Sequence, residues 1–322
     1  MKFITEKLPF GLKNNTCDGK YAQAGLDLYF GTVCPNNCNF CIAKTSNTLG
    51  ESILPWNQKP DVDKILKSIY KICAVFNYKT HLSIHGGEPL MYMDELIYVL
   101  DHLPNNIGDI RIQTSLPAIC LKHQDKLIEV LKHRITKIMV SIHHPDCNKN
   151  AEILKSTENH DRFELIKFIK KQISNITVEV NTVITKNVFQ PGDIEELVLK
   201  ADNAGVDCLR LTEVRENEDK YIPITDLVDI KFKSPWAHGC EIPVYVSDVK
   251  HVKVMVRVNC FRCNSKLTAS LSDMFKGIIK KLEWHLFHKF IRDYGVGIFP
   301  NGDTYNIDES LDLTKHVNKQ ER

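Results

Sequence analysis

Cys34, Cys38 and Cys41 lie in the run Val33-Cys34-Pro35-Asn36-Asn37-Cys38-Asn39-Phe40-Cys41, a C-x3-C-x2-C spacing. Thiolates this close on one short loop suit a polynuclear iron site. Four cysteines close a cubane [4Fe-4S] cluster, whereas three leave one iron open to bind a reactant. Zinc is the alternative, since cysteine-rich loops also hold it. A structural zinc site wants four ligands, usually as two pairs, and this loop offers three cysteines and no histidine.

A second chemical feature is His85-Gly86-Gly87-Glu88-Pro89-Leu90. Glycines let backbone come close to a ligand. The main chain there and the Glu88 carboxylate can accept charge-assisted hydrogen bonds from an ammonium group. The same residues also make a plain strand-to-helix turn.

Both features sit where the periodicity predicts strand ends. Leu26-Asp27-Leu28-Tyr29-Phe30 alternates apolar and polar and runs into the cysteine loop. Val62, Ile65, Leu66, Ile69, Ile72 and Val75 predict a helix over 61–76. A strand over 80–85 then ends at the glycines. Helices follow over 93–103, 121–133, 162–172 and 194–203, with Gly205 as the stop of the last. Strands follow over 109–114, 137–143, 176–185 and 208–212. Counting an opening strand over 25–33, this gives six strands with five intervening helices. Strict alternation argues a parallel sheet with crossover helices, and the C-terminal ends of such strands carry the chemistry.

Cys34, Cys38 and Cys41, with Phe40 before the last cysteine and Gly86-Gly87-Glu88 at the end of the second strand, resemble the signature of the radical S-adenosylmethionine (radical SAM) superfamily. The resemblance covers roughly residues 22–214. It implies an α/β fold, a partial (βα)6 TIM-like barrel, followed here by a small C-terminal α+β extension. It implies S-adenosylmethionine bound to the open iron of a [4Fe-4S] cluster and cleaved to methionine and a 5′-deoxyadenosyl radical, which removes a hydrogen atom from substrate. A low-potential electron donor such as flavodoxin or ferredoxin is the implied partner. By the same pattern Phe40 lies against adenine, Gly86, Gly87 and Glu88 meet the methionine ammonium, and Thr114 and Ser115 end the third strand near methionine or ribose. Ser141 and Asn181 are ribose or adenine candidates. His143, which shares a strand face with Ser141, and Arg210 and Glu213 at the end of the sixth strand are candidates for holding substrate. Buried strand polars that satisfy one another, and a surface ion pair at Arg210, are the alternatives.

The organisation expected is a lead-in over 1–21, the barrel over 22–214 and an extension over 215–322. In the extension, 251–258 alternates as a strand, 271–293 has helical spacing, and 297–306 reads as a hairpin turning at Asn301-Gly302. Cys240, Cys260 and Cys263 give C-x19-C-x2-C. They resemble the twitch or SPASM-type extensions that hold an auxiliary [4Fe-4S] cluster. No cysteine follows Cys263, so the site is either open or completed by another residue, with Cys17, His238 and His251 as candidates. A three-Cys-one-His zinc site and unligated thiols remain alternatives. Cys73, Cys120, Cys147 and Cys208 stand singly and read as inert thiols.

Composition narrows the function classes. At 322 residues, with 43% hydrophobic and 25% charged content, the chain is an ordinary globular protein with room for a large core. A formal charge of +2 gives no bulk electrostatic case for nucleic acid. No stretch reaches the roughly 20 apolar residues that span a bilayer. The N-terminus has no secretory apolar core, so a cytoplasmic site is expected and the 11 cysteines are read as ligands or thiols rather than disulfides. About 20 residues precede the first strand, too few for a peptide-recognition domain in front, which favours a small-molecule substrate. A short precursor peptide is the alternative substrate, and a non-catalytic metal-binding barrel is a third reading.

Overall fold

The computed structural model describes residues 3–5, 25–41, 58–75, 80–190, 192–214, 222–228, 230–231, 241–246, 249–257, 295–298, 300 and 304–306. In chain order the elements are β1 (Phe3–Thr5), β2 (Gly25–Tyr29), α1 (Val62–Val75), β3 (Thr80–His85), a 3-10 turn (Pro89–Tyr92), α2 (Met93–Asp101), β4 (Ile107–Thr114), α3 (Ile119–Lys122), α4 (Gln124–Lys132), β5 (Lys137–Ser141), α5 (Cys147–Leu154), α6 (Arg162–Gln172), β6 (Thr177–Ile184), α7 (Asp193–Asn203) and β7 (Cys208–Glu213). A 3-10 turn (Ile224–Asp226) leads into β8 (Ile230–Lys231), β9 (Glu241–Val246), β10 (Lys253–Arg257), β11 (Gly295–Ile298) and β12 (Thr304–Asn306).

The six expected strands, β2 to β7, pair in parallel in chain order. Two strands from the C-terminal segment extend this parallel ladder, β11 beside β2 and β10 beside β7. Beyond them the sheet turns antiparallel, with β12 on one side and β9 followed by β1 on the other. The strand order is β12-β11-β2-β3-β4-β5-β6-β7-β10-β9-β1-β8. This is the α/β architecture of an open, partial TIM-like barrel. The helix expected over 271–293, the turn at Asn301-Gly302, and Cys17, His238, Cys240, Cys260 and Cys263 lie outside the described residues.

Two local departures from the periodicity have physical causes. The helix expected over 121–133 is two helices, because His123 adopts φ −128° and ψ 53°, outside the helical region. Helix α5 was not anticipated, since Asn148, Lys149 and Asn150 carry no apolar stripe. It forms because the Asp146 side chain accepts from the Lys149 amide at 2.9 Å as an N-cap, and Lys155 ends it in a left-handed conformation.

The sheet has two unlike faces. Leu26, Leu28, Leu82, Ile84, Ile110, Ile112, Ile138, Val140, Val178, Val180, Leu209 and Leu211 alternate onto one face and are buried. They share one core with the helix stripes, such as Ile65 and Ile69 of α1, Leu96 of α2, Leu127 of α4, Ile166 of α6 and Leu197 of α7. Each such side chain contributes about 1.5–3 kcal/mol by leaving water. Most alternate residues, among them Asp27, Ser83, His85, Arg111, Gln113, Lys137, Glu179, Asn181, Arg210 and Thr212, are polar or charged, with Tyr29, Met139 and Val183 as apolar exceptions. Parallel sheets are ordinarily apolar on both faces; this one encloses a polar lumen. No helix among the described residues is long and apolar enough to cross a membrane.

Candidate active site

The cysteine loop leaves β2 and is fastened to the turn that leaves β3. Phe30 N donates to His85 O at 2.6 Å, Gly87 N to Gly31 O at 3.0 Å, and Glu88 N to Val33 O at 2.8 Å. The glycines are required by this close approach. A Cβ on Gly87 would overlap the Val33 carbonyl oxygen and sit 2.6 Å from Thr32 O. Gly86 has φ +135°, and a Cβ there would lie 2.7 Å from Gly31 O. Further along, Asn37 N and Cys38 Sγ both donate to Leu154 O, at 2.9 and 3.6 Å. The unanticipated α5 therefore holds the middle of the loop.

Cys34, Cys38 and Cys41 are half-buried on this loop and form no disulfide among the described residues. Burial pushes the Cys34 thiol up to about 12; the Asn36 amide pulls it down, while the charges of Glu88, Cys38 and Cys41 push it further up. Three thiolates here repel one another and need a cationic centre to coexist. The structure places the thiols on one loop without preassembling them: among the described residues no three Cys, His, Asp or Glu side chains form a group that could hold a metal ion.

Glu88 is 1% exposed and fully engaged. Its Oε1 accepts from Thr114 Oγ1 at 2.6 Å and Leu90 N at 3.2 Å, and its Oε2 accepts from Ser115 N at 2.7 Å and Ser115 Oγ at 2.8 Å. Two donors on each oxygen use the lone pairs expected to meet an ammonium group. What remains at this turn for a ligand is main chain. Burial raises the Glu88 carboxyl, opposed by the hydrogen bonds from Thr114, Ser115 and Leu90.

Ser115 passes the connection on. Its carbonyl accepts from Arg162 Nε at 2.6 Å. Arg162 opens α6, is 2% exposed, and both its Nη1 and Nη2 are buried without a hydrogen-bond partner. Burial lowers its pKa, with Glu158 the largest opposing charge, yet a guanidinium stays protonated. Sequence reasoning passed over Arg162 because Asp161-Arg162-Phe163 reads as an ordinary capped helix start, and Asp161 does cap the Phe163 amide at 2.8 Å. The orphaned fork is the clearest ligand-seeking group among the described residues, and its geometry fits a carboxylate.

The remaining expected residues divide. Phe40 meets His143 edge-on, with ring centroids 4.9 Å apart. His143 is buried, its Nδ1 accepts from Val183 N at 3.0 Å, and burial together with the Arg162 charge pushes it down to about 3. It is therefore a neutral Nε2–H tautomer. Ser141 and Asn181 are register partners on the lumen face, and Asn181 Oδ1 accepts from Thr212 Oγ1 at 3.1 Å. Arg210 also faces the lumen and is paired with Glu179 at 3.1 Å. Glu213, expected beside it, does not share that face. It is 1% exposed, pairs in register with the core residue Ile184 and accepts from Ile224 N at 3.0 Å. Three positions along a strand reverse the side-chain direction, so Glu213 anchors the segment after β7 rather than a substrate.

A sequence model of the radical SAM superfamily matches residues 28–201, the span from β2 into α7. The chain belongs to the radical SAM superfamily. Enzymes of this superfamily use S-adenosylmethionine and a [4Fe-4S] cluster. No curated protein sequence matches the chain significantly. Among solved structures it resembles SuiB from Streptococcus suis, at 18% identity and a TM-score of 0.54, over 88% of this chain and 60% of SuiB. The S-adenosylmethionine-bound form gives 17% identity and a TM-score of 0.56 over 88% and 59%, respectively. The form bound to the precursor peptide SuiA gives 16% and 0.57 over 92% and 64%. This radical SAM chain thus spans about three fifths of SuiB's length, and the likeness is one of fold. The residues present fit the cofactors: three thiols on one loop, a glycine turn packed against it, and a buried unpaired guanidinium beside Ser115.

Proposed function

We propose that this chain binds a [4Fe-4S] cluster through Cys34, Cys38 and Cys41 and cleaves S-adenosylmethionine reductively, so that the resulting 5′-deoxyadenosyl radical takes a hydrogen atom from a small-molecule substrate. The observation that carries the reading is the fastening of the cysteine loop to the Gly86-Gly87-Glu88 turn by main-chain hydrogen bonds. The cluster supplies the electron and the open iron. The chain supplies the rest. Main-chain carbonyls at Gly86 and Gly87 face the methionine ammonium, and Arg162 receives the methionine carboxylate. Phe40, braced by His143, lies against adenine, and Ser141 and Asn181 stand at the ribose.

Anaerobically reconstituted protein with dithionite should convert S-adenosylmethionine to 5′-deoxyadenosine, and Cys38→Ala should not. Equal yields from both proteins, or stoichiometric zinc in place of iron, would refute this assignment. A flavodoxin or ferredoxin is the proposed physiological electron donor. Peptide maturation is the second reading, favoured by the fold likeness to a protein whose structure holds a precursor peptide. Cys240, Cys260 and Cys263 are proposed to hold an auxiliary cluster. Cys260→Ala should then lower iron content by up to one cluster while sparing 5′-deoxyadenosine formation, and unchanged iron would remove the second cluster.

A further inference from the structure

The lumen face below the cofactor turns holds a second cation that makes no direct ion pair among the described residues. Ser83 and Arg111 are register partners on β3 and β4. Arg111 Nε and Nη2 donate to Ser83 Oγ at 3.4 and 3.1 Å, and Gln113 Nε2 donates to the same oxygen at 3.2 Å. Among the described residues these are the hydrogen bonds of Arg111, and none of the ion pairs there includes it. Asp27 on β2 feels the Arg111 charge, but that carboxylate is also bound by His85 Nε2 at 3.2 Å and by the Ser83 hydroxyl.

The same face shows what a directly paired cation looks like. Arg210 is paired with Glu179 at 3.1 Å, and Lys137 reaches the other oxygen of Glu179 at 3.0 Å. Among the described residues Arg111 makes no direct ion pair; the carboxylate that feels its charge is Asp27, on the far side of Ser83. Its planar fork is half-buried and bonded to one neutral hydroxyl through Nε and Nη2, and Nη1 has no hydrogen-bond acceptor among the described residues. A fork presented in this way matches a carboxylate in two parallel hydrogen bonds. The surrounding walls lower the dielectric and strengthen that contact.

We infer that Arg111, with the Gln113 amide beside it, anchors a carboxylate of the substrate on the floor of the lumen. The inference rests on the radical SAM reading only for calling the bound molecule a substrate. Arg111 lies four residues before Ser115, a rise of about 13 Å at roughly 3.3 Å per residue. The reacting carbon, next to the cofactor, is therefore well separated from the carboxylate, and the substrate is an elongated acid. A free carboxylic acid and the acidic group of a peptide share this chemistry.

The anchor is tested on anaerobically reconstituted protein by calorimetric titration with glutarate, and with glutaramide as its uncharged counterpart. Glutarate should bind at least about tenfold more tightly than glutaramide. Arg111→Gln should erase the difference, while Asp27→Asn, which removes the competing negative charge, should tighten glutarate binding. A glutamate-containing tripeptide with an amidated C-terminus separates the sources. Binding as tight as glutarate assigns the anchor to peptide acids, and weaker binding assigns it to free acids. No glutarate binding by the wild-type protein, equal affinities for glutarate and glutaramide, or an Arg111→Gln variant that binds glutarate as well as wild type would overturn the anchor. The 5′-deoxyadenosine yield of the same wild-type preparation reports separately on the radical reading, so either can fail without the other.

Discussion

Glu88 accepts both the amide and the hydroxyl of Ser115, at 2.7 and 2.8 Å, and so ties the end of β3 to the end of β4. The carboxylate is a positioning residue. It fixes Ser115, whose carbonyl in turn orients Arg162. In Glu88→Gln the amide nitrogen replaces an acceptor and leaves buried donors facing it, at about 1–3 kcal/mol for each one unsatisfied. The variant should unfold at lower denaturant and bind S-adenosylmethionine more weakly. Unchanged denaturant midpoint and affinity would show that the four hydrogen bonds are dispensable.

Gly87→Ala tests the seam between the two loops. Its Cβ has no space against Val33 and Thr32, whose atoms are main chain and cannot swing aside. The cysteine loop must then withdraw from the turn. Iron content at the first cluster should fall at least severalfold after reconstitution, with circular dichroism close to wild type. Full iron loading would argue that the seam does not position the thiols.

Arg162→Met removes a buried charge with two orphaned nitrogens. Deleting a buried cation with two unpartnered nitrogens relieves desolvation, which offsets the lost bond to Ser115 O, so the protein without ligand should stay close to wild type in stability. S-Adenosylmethionine affinity should drop by about tenfold or more, near 1.4 kcal/mol. The pair of results separates a ligand-binding arginine from a structural one, whose loss would lower stability and leave affinity alone.

His143 predicts a pH dependence. Its folded pKa is depressed to about 3 by burial, against 6.5 in the unfolded chain. Between those values the unfolded chain binds the proton and the folded one does not, so stability is lost as pH falls through that window. The loss is about 1.4 kcal/mol per pH unit. In His143→Asn the side-chain oxygen can still accept from Val183 N, but nothing titrates. Urea midpoints measured from pH 6.5 to 4.5 should therefore fall less steeply in the variant than in wild type.

The strands and most helices of the barrel were legible because their apolar period is strong. Ile110 and Ile112 or Leu209 and Leu211 face one way and cannot do otherwise. The cysteine loop and the glycine turn were legible because spacing and chemistry coincide. Arg162 was not, since nothing in the sequence distinguishes a cap-adjacent arginine that points at solvent from one drawn under a neighbouring loop. Glu88 was placed correctly at the strand end, but its lone pairs are committed to Thr114, Ser115 and Leu90, a competition visible only once β4 lies beside β3. Glu213 was misread because its face follows from register, and α5 was missed because a cap rather than a stripe creates it.

The C-terminal segment supplies a strand to each flank of the parallel ladder, β11 against β2 and β10 against β7. These two additions lie on opposite sides of a barrel whose own six strands would otherwise end in bare amide and carbonyl rows. A polypeptide stopped after β7 would carry two sticky margins, each a template for pairing with another copy. β10 and β11 thus serve as selvedges of the fold, and the radical SAM portion should be expressed and engineered together with them rather than excised.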